Sequence, residues 1–294
     1  NTNGTIDTSF IQGTGFDGNV SALTSQADGK IIVGGAFVNY NGVLVNRIVR
    51  LNIDGSRDTT FNSGIGFSAG TVEVIKANAL GTIIVGGSFS GTYNGTTVNR
   101  IVSLGSDGVL DAMFDIGAGP STGSVYELKE DTTGSWYVGG SYSVFDSQNQ
   151  GRLAKVDASG VLDIGYLASG VGFDNSVLKI VSLPDDKSIV VGDFTKYNGA
   201  SASKIARLLS DGSIDTTFNV SALGANGVVR NAIVQSDLKI IIAGGFVNYN
   251  GTLVNRIARI SPSGSIHASF HTRLAFNNQV YAIALHADRK LISG

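Results

Sequence analysis

The stretch Gly34–Phe61 reads GGAFVNYNGVLVNRIVRLNIDGSRDTTF, and it decides the fold because the chain repeats it. An approximate copy, GGSFSGTYNGTTVNRIVSLGSDGVLDAMF, occupies Gly86–Phe114. The closing octapeptide DGSRDTTF occurs in six versions, which start near residues 3, 54, 107, 159, 211 and 263. Successive starts lie 51 to 53 residues apart, so the chain consists of about five and a half copies of one unit.

Each unit carries the patterns of four antiparallel strands. Val20–Leu23 alternates apolar with small or polar residues, which predicts a strand with one buried face. Lys30–Gly35 is continuously apolar, which predicts a strand covered on both faces, and the turn Ala27–Gly29 separates the two. Asn46–Leu51 predicts a third strand and Asp58–Phe61 a short fourth. Four strands in about 52 residues, without a helical pattern, are typical of a β-propeller blade.

A β-solenoid is the alternative for a repeating all-β chain. Solenoid coils are shorter than this repeat and lack two hairpin turns per unit, so we favour the propeller. The paired glycines, such as Gly34 and Gly35, then allow inner strands to approach closely. They are not followed by Gly-Lys-Ser or by a helix, which argues against a phosphate-binding loop.

The two ends of the chain bear on how the propeller closes. We expect residues 1–294 to form one propeller of six blades, the sixth built from residues 275–294 together with residues 4–10. That last blade would lack one strand, so more chain is expected after Gly294. Seven blades are the alternative.

Composition excludes several classes of protein. The chain has 40 glycines but only 3 prolines, and 42% of its residues are hydrophobic, which indicates a folded, turn-rich domain. A net charge of −2 argues against nucleic-acid binding, and no apolar run is long enough for insertion into a membrane. With no cysteine, disulfides and thiolate metal sites are impossible.

The string G-G-x-F-x-x-Y-N-G-x-x-x-N-R-I-x-R-L-x-x-D-G-x-x-D-x-x-F, seen at Gly34–Phe61, resembles the delta-60 repeat of bacterial and phage β-propellers. The resemblance covers essentially the whole chain. The third unit departs from it at Val144–Ser147, and the fourth at Val191–Asp193 and Lys204. The resemblance implies an extracellular, cell-surface or virion protein, and the family implies no known catalytic residues.

Recurring charged residues predict an ion pair within each blade. A basic residue precedes an acidic residue, or its substitute, by 11 positions in every unit. The predicted pairs are Arg47–Asp58, Arg100–Asp111, Arg152–Asp163, Lys204–Asp215 and Arg256–His267. Because the spacing recurs in every blade, we interpret the pairs as structural.

Four Tyr-Asn-Gly loops join the second and third strands. They contain Tyr40 and Asn41, Tyr93 and Asn94, Tyr197 and Asn198, and Tyr249 and Asn250. One interpretation is turn chemistry, because Asn-Gly suits left-handed backbone. The other is a ligand-binding ring of aromatic faces and amides on one face of the disk, which would suit a glycan.

The three histidines, His267, His271 and His286, lie within twenty residues in the last unit and are weak metal candidates. Surface residues are the favoured interpretation, and we expect no cofactor. No Gly-x-Ser-x-Gly elbow between a strand and a helix is present, so a serine hydrolase is not indicated.

These observations favour a non-enzymatic recognition or adhesion module for a glycan or a protein partner, because propeller loops cluster on two faces of a stiff scaffold. A purely structural spacer or decoration subunit in a phage tail or cell-surface filament is the second hypothesis. A carbohydrate-active enzyme is the third.

Overall fold

The computed structural model describes residues 5–11, 13–166, 170–219, 223–267, 270, 276–286 and 290–294. Within these residues the chain consists of strands and turns, with no helix. The strands recur with the period that the sequence predicts, and we number the repeats 1 to 5 by the segments 20–61, 72–114, 125–166, 177–218 and 229–270. The all-β, repeated architecture is thereby confirmed.

Repeats 1 and 2 contain eight strands. Repeat 1 has β1 (Val20–Ser25), β2 (Ile31–Gly35), β3 (Asn39–Tyr40), β4 (Val43–Leu44) and β5 (Ile48–Leu51). Repeat 2 has β6 (Val72–Ala77), β7 (Ile83–Tyr93) and β8 (Thr96–Leu104). In repeat 2, the long β7 and β8 run through the positions that form a separate outer hairpin in repeat 1.

Repeats 3 to 5 each have five strands. Repeat 3 has β9 (Val125–Glu130), β10 (Trp136–Gly140), β11 (Val144–Phe145), β12 (Gln148–Asn149) and β13 (Leu153–Val156). Repeat 4 has β14 (Val177–Ser182), β15 (Ser188–Gly192), β16 (Lys196–Tyr197), β17 (Ala200–Ser201) and β18 (Ile205–Leu208). Repeat 5 has β19 (Val229–Val234), β20 (Ile240–Gly244), β21 (Asn248–Tyr249), β22 (Thr252–Leu253) and β23 (Ile257–Ile260). After repeat 5 come β24 (Ile283–Leu285) and β25 (Leu291–Ser293).

Every repeat contains a three-stranded sheet whose central strand is the apolar one. The strand orders are β1-β2-β5, β6-β7-β8, β13-β10-β9, β14-β15-β18 and β19-β20-β23. The central strands are buried almost throughout, as expected for a strand covered on both faces. β24 and β25 form a two-stranded sheet.

The fourth strand of each repeat is reduced to one bridging residue. Arg57 bridges Leu51 in repeat 1, and the same antiparallel bridge occurs in the other four repeats. Asp58–Phe61, predicted to be that strand, is a turn instead. The Asp58 side chain accepts hydrogen bonds from the backbone N–H and the hydroxyl of Thr60, which holds the backbone in a turn.

Contacts between neighbouring sheets explain the glycines of the central strands. A Cβ atom on Gly139 would lie 2.7 Å from Cγ1 of Val177 and 3.1 Å from Cδ1 of Ile180, in the first strand of the next repeat. A Cβ on Gly86 would lie 2.7 Å from Cγ1 of Val125. All three distances are shorter than ordinary van der Waals contact, so these positions need glycine for close approach.

The described chain divides into two compact units, Asn1–Leu128 with Ser159–Val161, and Lys129–Ala158 with Leu162–Gly294. The core of the first unit contains the rings of Phe67, Phe89 and Tyr93. Two cores of the second unit are centred on Phe173 with Tyr197, and on Phe246 with Tyr249.

The predicted strand near the N-terminus is a turn in the described residues. The backbone N–H and hydroxyl of Ser9 both donate to Oδ1 of Asp7, and the N–H of Phe10 donates to the carbonyl of Asp7. Residues 4 and 275, the outer limits of the predicted sixth blade, lie outside the described residues. The number of blades and the closure of the propeller remain predictions.

Candidate functional site

The four tyrosines of the Tyr-Asn-Gly loops are core residues. Each is buried, and each hydroxyl donates to the carbonyl oxygen of a glycine 15 residues later. The pairs are Tyr40–Gly55, Tyr93–Gly108, Tyr197–Gly212 and Tyr249–Gly264. The separation of oxygen atoms is 2.6 Å in repeats 1 and 2 and 2.8 Å in repeat 5. Because the rings are buried, they cannot form the predicted ligand-binding surface.

The neighbouring asparagines stabilise the loops. Each has positive φ, between 45° and 49°. The side-chain oxygens of Asn41, Asn198 and Asn250 each accept a backbone N–H at 2.8 Å, and that of Asn94 accepts the N–H of Ile65 at 3.4 Å. The turn interpretation therefore accounts for these residues without a ligand.

The ion pairs predicted at a spacing of 11 residues do not form. Nε and Nη1 of Arg47 each donate to a carbonyl oxygen at 2.7 Å, those of Gly70 and Phe67. The other predicted cations likewise find different acceptors, namely Arg100 with Gly123, Arg152 with Phe173, Lys204 with Asp193 and Arg256 with Gly245. All five basic residues have positive φ, and in repeat 1 β5 begins only after Arg47, so Arg47 is not part of the predicted third strand.

The ion pair that does form has a spacing of eight residues. In repeat 1, Nε of Arg50 lies 2.7 Å from Oδ2 of Asp58, and Nζ of Lys30 lies 2.9 Å from the same oxygen. In repeat 4, Nε of Arg207 lies 2.9 Å from Oδ2 of Asp215. Position 50 faces position 58 because the Asp54-Gly55 turn joins their strands, and the N–H of Asp58 donates to the carbonyl of Arg50. Counting outward from this turn would have predicted the pair.

Burial and hydrogen bonding act in opposite directions on these carboxyls. Burial tends to raise the pKa of Asp58, but hydrogen bonds from Thr60, Lys30 and Arg50 outweigh it and hold the pKa well below its usual range. The same balance, with hydrogen bonds from Thr217 and Arg207, lowers the pKa of Asp215 to about 2. Each guanidinium also lies over an aromatic ring, with Arg50 at 4.9 Å from the centroid of Phe61.

The metal-binding hypothesis for the histidines gains no support from the described residues. Nδ1 of His267 lies 3.3 Å from Nη2 of Arg259, at the positions of the Arg–Asp pairs of repeats 1 and 4. His271 lies outside the residues that the structure describes, whereas His286 lies within them. The part of the chain that the structure describes contains no group of three or more His, Asp or Glu arranged to hold a metal ion.

Repeat 3 lacks the arginine that repeats 1 and 4 have at the positions of Arg50 and Arg207, and a cavity lies beside this position. Lys155 replaces the arginine, and Asp131 stands where repeat 1 has Gln26. The cavity has a volume of about 460 Å³. Its lining includes the turn after β9, the turn between β14 and β15, and Ser210, within residues 129–210 of the second unit.

A half-buried ion pair forms one wall of this cavity. Nζ of Lys155 lies 2.8 Å from Oδ2 of Asp131 and 5.1 Å from the centroid of the Tyr137 ring. Burial opposes both charges, but their mutual hydrogen bond lowers the pKa of Asp131 and raises that of Lys155. Burial raises the pKa of the Tyr137 hydroxyl. All three groups therefore keep their usual charge at neutral pH.

Repeat 4 contributes further lining residues to this cavity. Nζ of Lys187 lies 2.9 Å from Oδ2 of Asp185 and 3.5 Å from Oδ2 of Asp215. Asp186, with a φ of 59°, and Ser182 also line the cavity. The cavity thus offers ammonium donors and carboxylate acceptors close together.

Comparison with known proteins identifies the family. The model of the domain of unknown function DUF5122 beta-propeller matches residues 26–61, 81–114, 132–164, 183–218 and 235–270. The chain belongs to this family. The five matches coincide with the five repeats, which confirms the repeat assignment and the suspected delta-60-like propeller. No curated protein sequence matches the chain.

Solved structures support the propeller fold. Virginiamycin B lyase from Staphylococcus aureus is 14% identical with a TM-score of 0.57, and the alignment covers 97% of this chain and 86% of the lyase. A catalytically inactive variant of that lyase with quinupristin is 13% identical with a TM-score of 0.51, covering 96% and 86%. At this level of identity the similarity concerns the fold alone.

The expectation that the chain is not an enzyme requires correction. It rests on the absence of a catalytic motif and on a family resemblance that implies no known catalytic residues, yet virginiamycin B lyase is an enzyme with this fold. One fold can carry many functions, and function depends on the arrangement of specific side chains, so the absence of a short motif does not exclude catalysis. Separately, the described residues contain no helix of the length and hydropathy that a membrane crossing requires.

Proposed function

We propose that this DUF5122 propeller is a recognition module that binds a glycan in the cavity of repeat 3. One observation supports this proposal: the cavity occurs where Lys155 and Asp131 replace the residues that are Arg50 and Gln26 in repeat 1. Residues that maintain the blades recur in every repeat, whereas a binding site needs to be built once. A departure that opens space is therefore the best guide to a site in a repeat protein.

The chemistry of the lining favours a neutral, hydroxyl-rich ligand. The lining carries three ammonium groups and three carboxylates, those of Lys129, Lys155, Lys187, Glu130, Asp131 and Asp186. Sugar hydroxyls both donate and accept hydrogen bonds, so they match such a mixture, whereas a strongly charged ligand would meet repulsion from half of it. A volume of about 460 Å³ falls within the usual range of small-molecule sites.

We propose that the protein acts outside the cell, on a cell surface or on a virion. The delta-60 resemblance supports it, and a glycan-binding module has its ligands there. A protein partner is the alternative ligand, and a structural role in a larger assembly is the alternative to binding.

Glycan turnover is the second candidate. The shared fold with virginiamycin B lyase favours testing it, because the propeller scaffold carries catalysis there. Lys155 keeps its proton at neutral pH, since Asp131 raises the pKa of its ammonium group. It would therefore act as a donor to a leaving group or as an electrostatic stabiliser, not as a base.

The test is a glycan array with the wild-type chain and a Lys155→Arg variant. In repeat 4 the corresponding cavity, lined by Arg207, Leu238 and Pro262, has a volume of only about 190 Å³, so an arginine at position 155 should narrow the cavity of repeat 3 and displace a ligand while the fold is kept. We expect saturable binding by the wild type and at least a tenfold loss of affinity in the variant. Glycans that bind are then incubated with the protein and analysed by mass spectrometry, where a cleaved product would establish turnover.

Lys239→Arg provides the matched control, because it makes the same chemical change outside the cavity, at a lysine that pairs with Asp237. It should bind as the wild type does. No binding on the array by folded wild-type protein would contradict the proposal and favour the assembly role. Equal binding by the Lys155→Arg variant would show that the glycan sits elsewhere.

A further inference from the structure

Repeat 2 lacks the buried guanidinium that repeats 1 and 4 share. Ser103 stands at the position of Arg50 and Arg207. In repeat 4, Nη2 of Arg207 also lies 3.1 Å from Oγ1 of Thr217, and the guanidinium carbon lies 4.9 Å from the centroid of the Phe218 ring. Repeat 2 retains the carboxylate and the ring, as Asp111 and Phe114.

The missing side chain coincides with a cavity. In repeat 2 a cavity of about 400 Å³ is lined by Ser103, Asp111 and Phe114. In repeat 4 the equivalent cavity, lined by Arg207, Asp215 and Phe218, has a volume of about 40 Å³. The remaining lining residues of the smaller cavity also correspond position by position to those of the larger one. The molecule thus contains the same site once filled by a guanidinium and once open.

The open site of repeat 2 is also more negatively charged than the equivalent sites of repeats 1 and 4. Thr82 replaces the lysine that approaches the carboxylate in repeats 1 and 4, and Asp115 replaces the asparagine at positions 62 and 219. Asp111 accepts hydrogen bonds from Ser103 Oγ at 3.2 Å and from the N–H of Met113 at 3.0 Å. Within the described part of the chain it forms no ion pair, and the residues lining the cavity include no lysine or arginine. Two cations are therefore replaced and one carboxylate is added.

We propose that the cavity of repeat 2 binds the guanidinium group of an arginine ligand. The bound group would take the place of the Arg207 guanidinium, with two N–H groups on the Asp111 carboxylate and its plane over the Phe114 ring. Asp115, at the position of Asn219 and in the lining of the cavity, would supply a further acceptor. A planar guanidinium suits this site because it pairs with a carboxylate and stacks on a ring at the same time. This site lies in the first unit, and its occupation is independent of the glycan proposal.

The same chemistry could come from free arginine or from an arginine in a peptide chain. Isothermal titration calorimetry with L-arginine and with N-acetyl-arginine methylamide separates the two sources. Tighter binding of the amide indicates a peptide, since its ends are neutral, and tighter binding of L-arginine indicates the free amino acid.

The decisive comparison uses N-acetyl-citrulline methylamide, which has the shape of the arginine compound but no charge. We expect the arginine compound to bind at least tenfold more tightly. In a Ser103→Arg variant the tethered guanidinium should occupy the cavity, so arginine binding should fall at least tenfold while the melting temperature stays equal or rises. Ser25→Arg, which makes the same change at an exposed strand residue outside the cavity, should bind within about threefold of the wild type.

Equal affinity for the arginine and citrulline compounds would overturn the proposal. So would undiminished arginine binding by the folded Ser103→Arg variant. An Arg207→Ser variant adds an independent test, because it opens the equivalent site in repeat 4. One additional arginine per chain should then bind. An unchanged stoichiometry in the folded variant would contradict the use of the Arg207 site as a model for the open site of repeat 2.

Discussion

The buried carboxylate of Asp58 shows how one side chain holds a repeat together. The carboxylate accepts hydrogen bonds from Arg50 and Thr60 and forms an ion pair with Lys30. The Arg50 guanidinium also donates to the side chain of Gln26 and to the carbonyl of Ser106. Removing a charge from such a cluster leaves its partners buried without compensation, which is more damaging than the net value of the pair suggests.

We therefore expect Asp58→Asn to lower the free energy of unfolding by about 3 to 5 kcal/mol. Asp28→Asn is the control, because Asp28 approaches the same lysine at 3.7 Å but has 54% of its side chain exposed. Its effect should stay within about 1 kcal/mol. Urea denaturation of both variants measures the difference, and equal losses would contradict a buried cluster.

The tyrosine hydroxyls permit a milder test at the same scale. Tyr93→Phe leaves the carbonyl of Gly108 buried without its donor, so it should destabilise the fold by about 1 to 2 kcal/mol. Tyr281→Phe removes a hydroxyl from an exposed ring and should have little effect. Thermal unfolding of the two variants makes the comparison. A neutral Tyr93→Phe would mean that water satisfies the carbonyl.

Neighbouring sheets compensate for one another's volume. Gly139 in the central strand of repeat 3 faces Ile180 of the next repeat, whereas repeat 4 has Val191 at the glycine position and the next repeat has Ala232 at the isoleucine position. Val191 and Ala232 lie in the same core cluster. The departure from Gly-Gly in repeat 4 is thus matched by a smaller partner, which keeps the interior close-packed.

This compensation predicts a rescue. Gly139→Val should overpack the contact with Val177 and Ile180 and lower the free energy of unfolding by about 2 to 3 kcal/mol or more. Adding Ile180→Ala reproduces the combination found in repeat 4 and should restore most of the loss, although Ile180→Ala alone is also destabilising. A double-mutant cycle by urea denaturation measures the coupling. If the two losses simply add, volume compensation is contradicted.

The repeat pattern predicted the fold well and the site poorly. The period and the apolar central strands, such as Ile31–Gly35, follow from hydrophobic burial, which every repeat must satisfy. The partner of Asp58 could not be taken from a constant spacing alone, because Arg47 and Arg50 recur with the same period and only the hairpin register separates them. The repeat pattern does not predict the two cavities, because Ser103 and Lys155 are exceptions to the recurring arginine and a pattern is built from the residues that recur.

The pH dependence of stability is a property of the whole chain, because it sums over many carboxyls. Burial opposes ionisation of Asp58, Asp131, Asp174 and Asp215, but hydrogen bonds lower the pKa of each. A carboxyl with a lower pKa in the folded state stabilises the fold above its unfolded pKa of about 3.9, and this contribution is lost as the pH falls through the folded value. Glu73, whose pKa burial raises, acts in the opposite direction.

We therefore expect the free energy of unfolding to fall as the pH is lowered from about 5 to 2. Asp215, with a folded pKa of about 2, contributes across this window. In Asp215→Asn the contribution is absent, so wild type and variant should differ most at pH 5 and above, and the difference should shrink as the pH approaches 2. Urea denaturation at intervals across the window measures it, with Asp186→Asn, an exposed turn residue, as the control. A difference that stays constant over the window would show that the carboxylate charge of Asp215 does not carry the stabilisation, and that its hydrogen bonds act independently of ionisation.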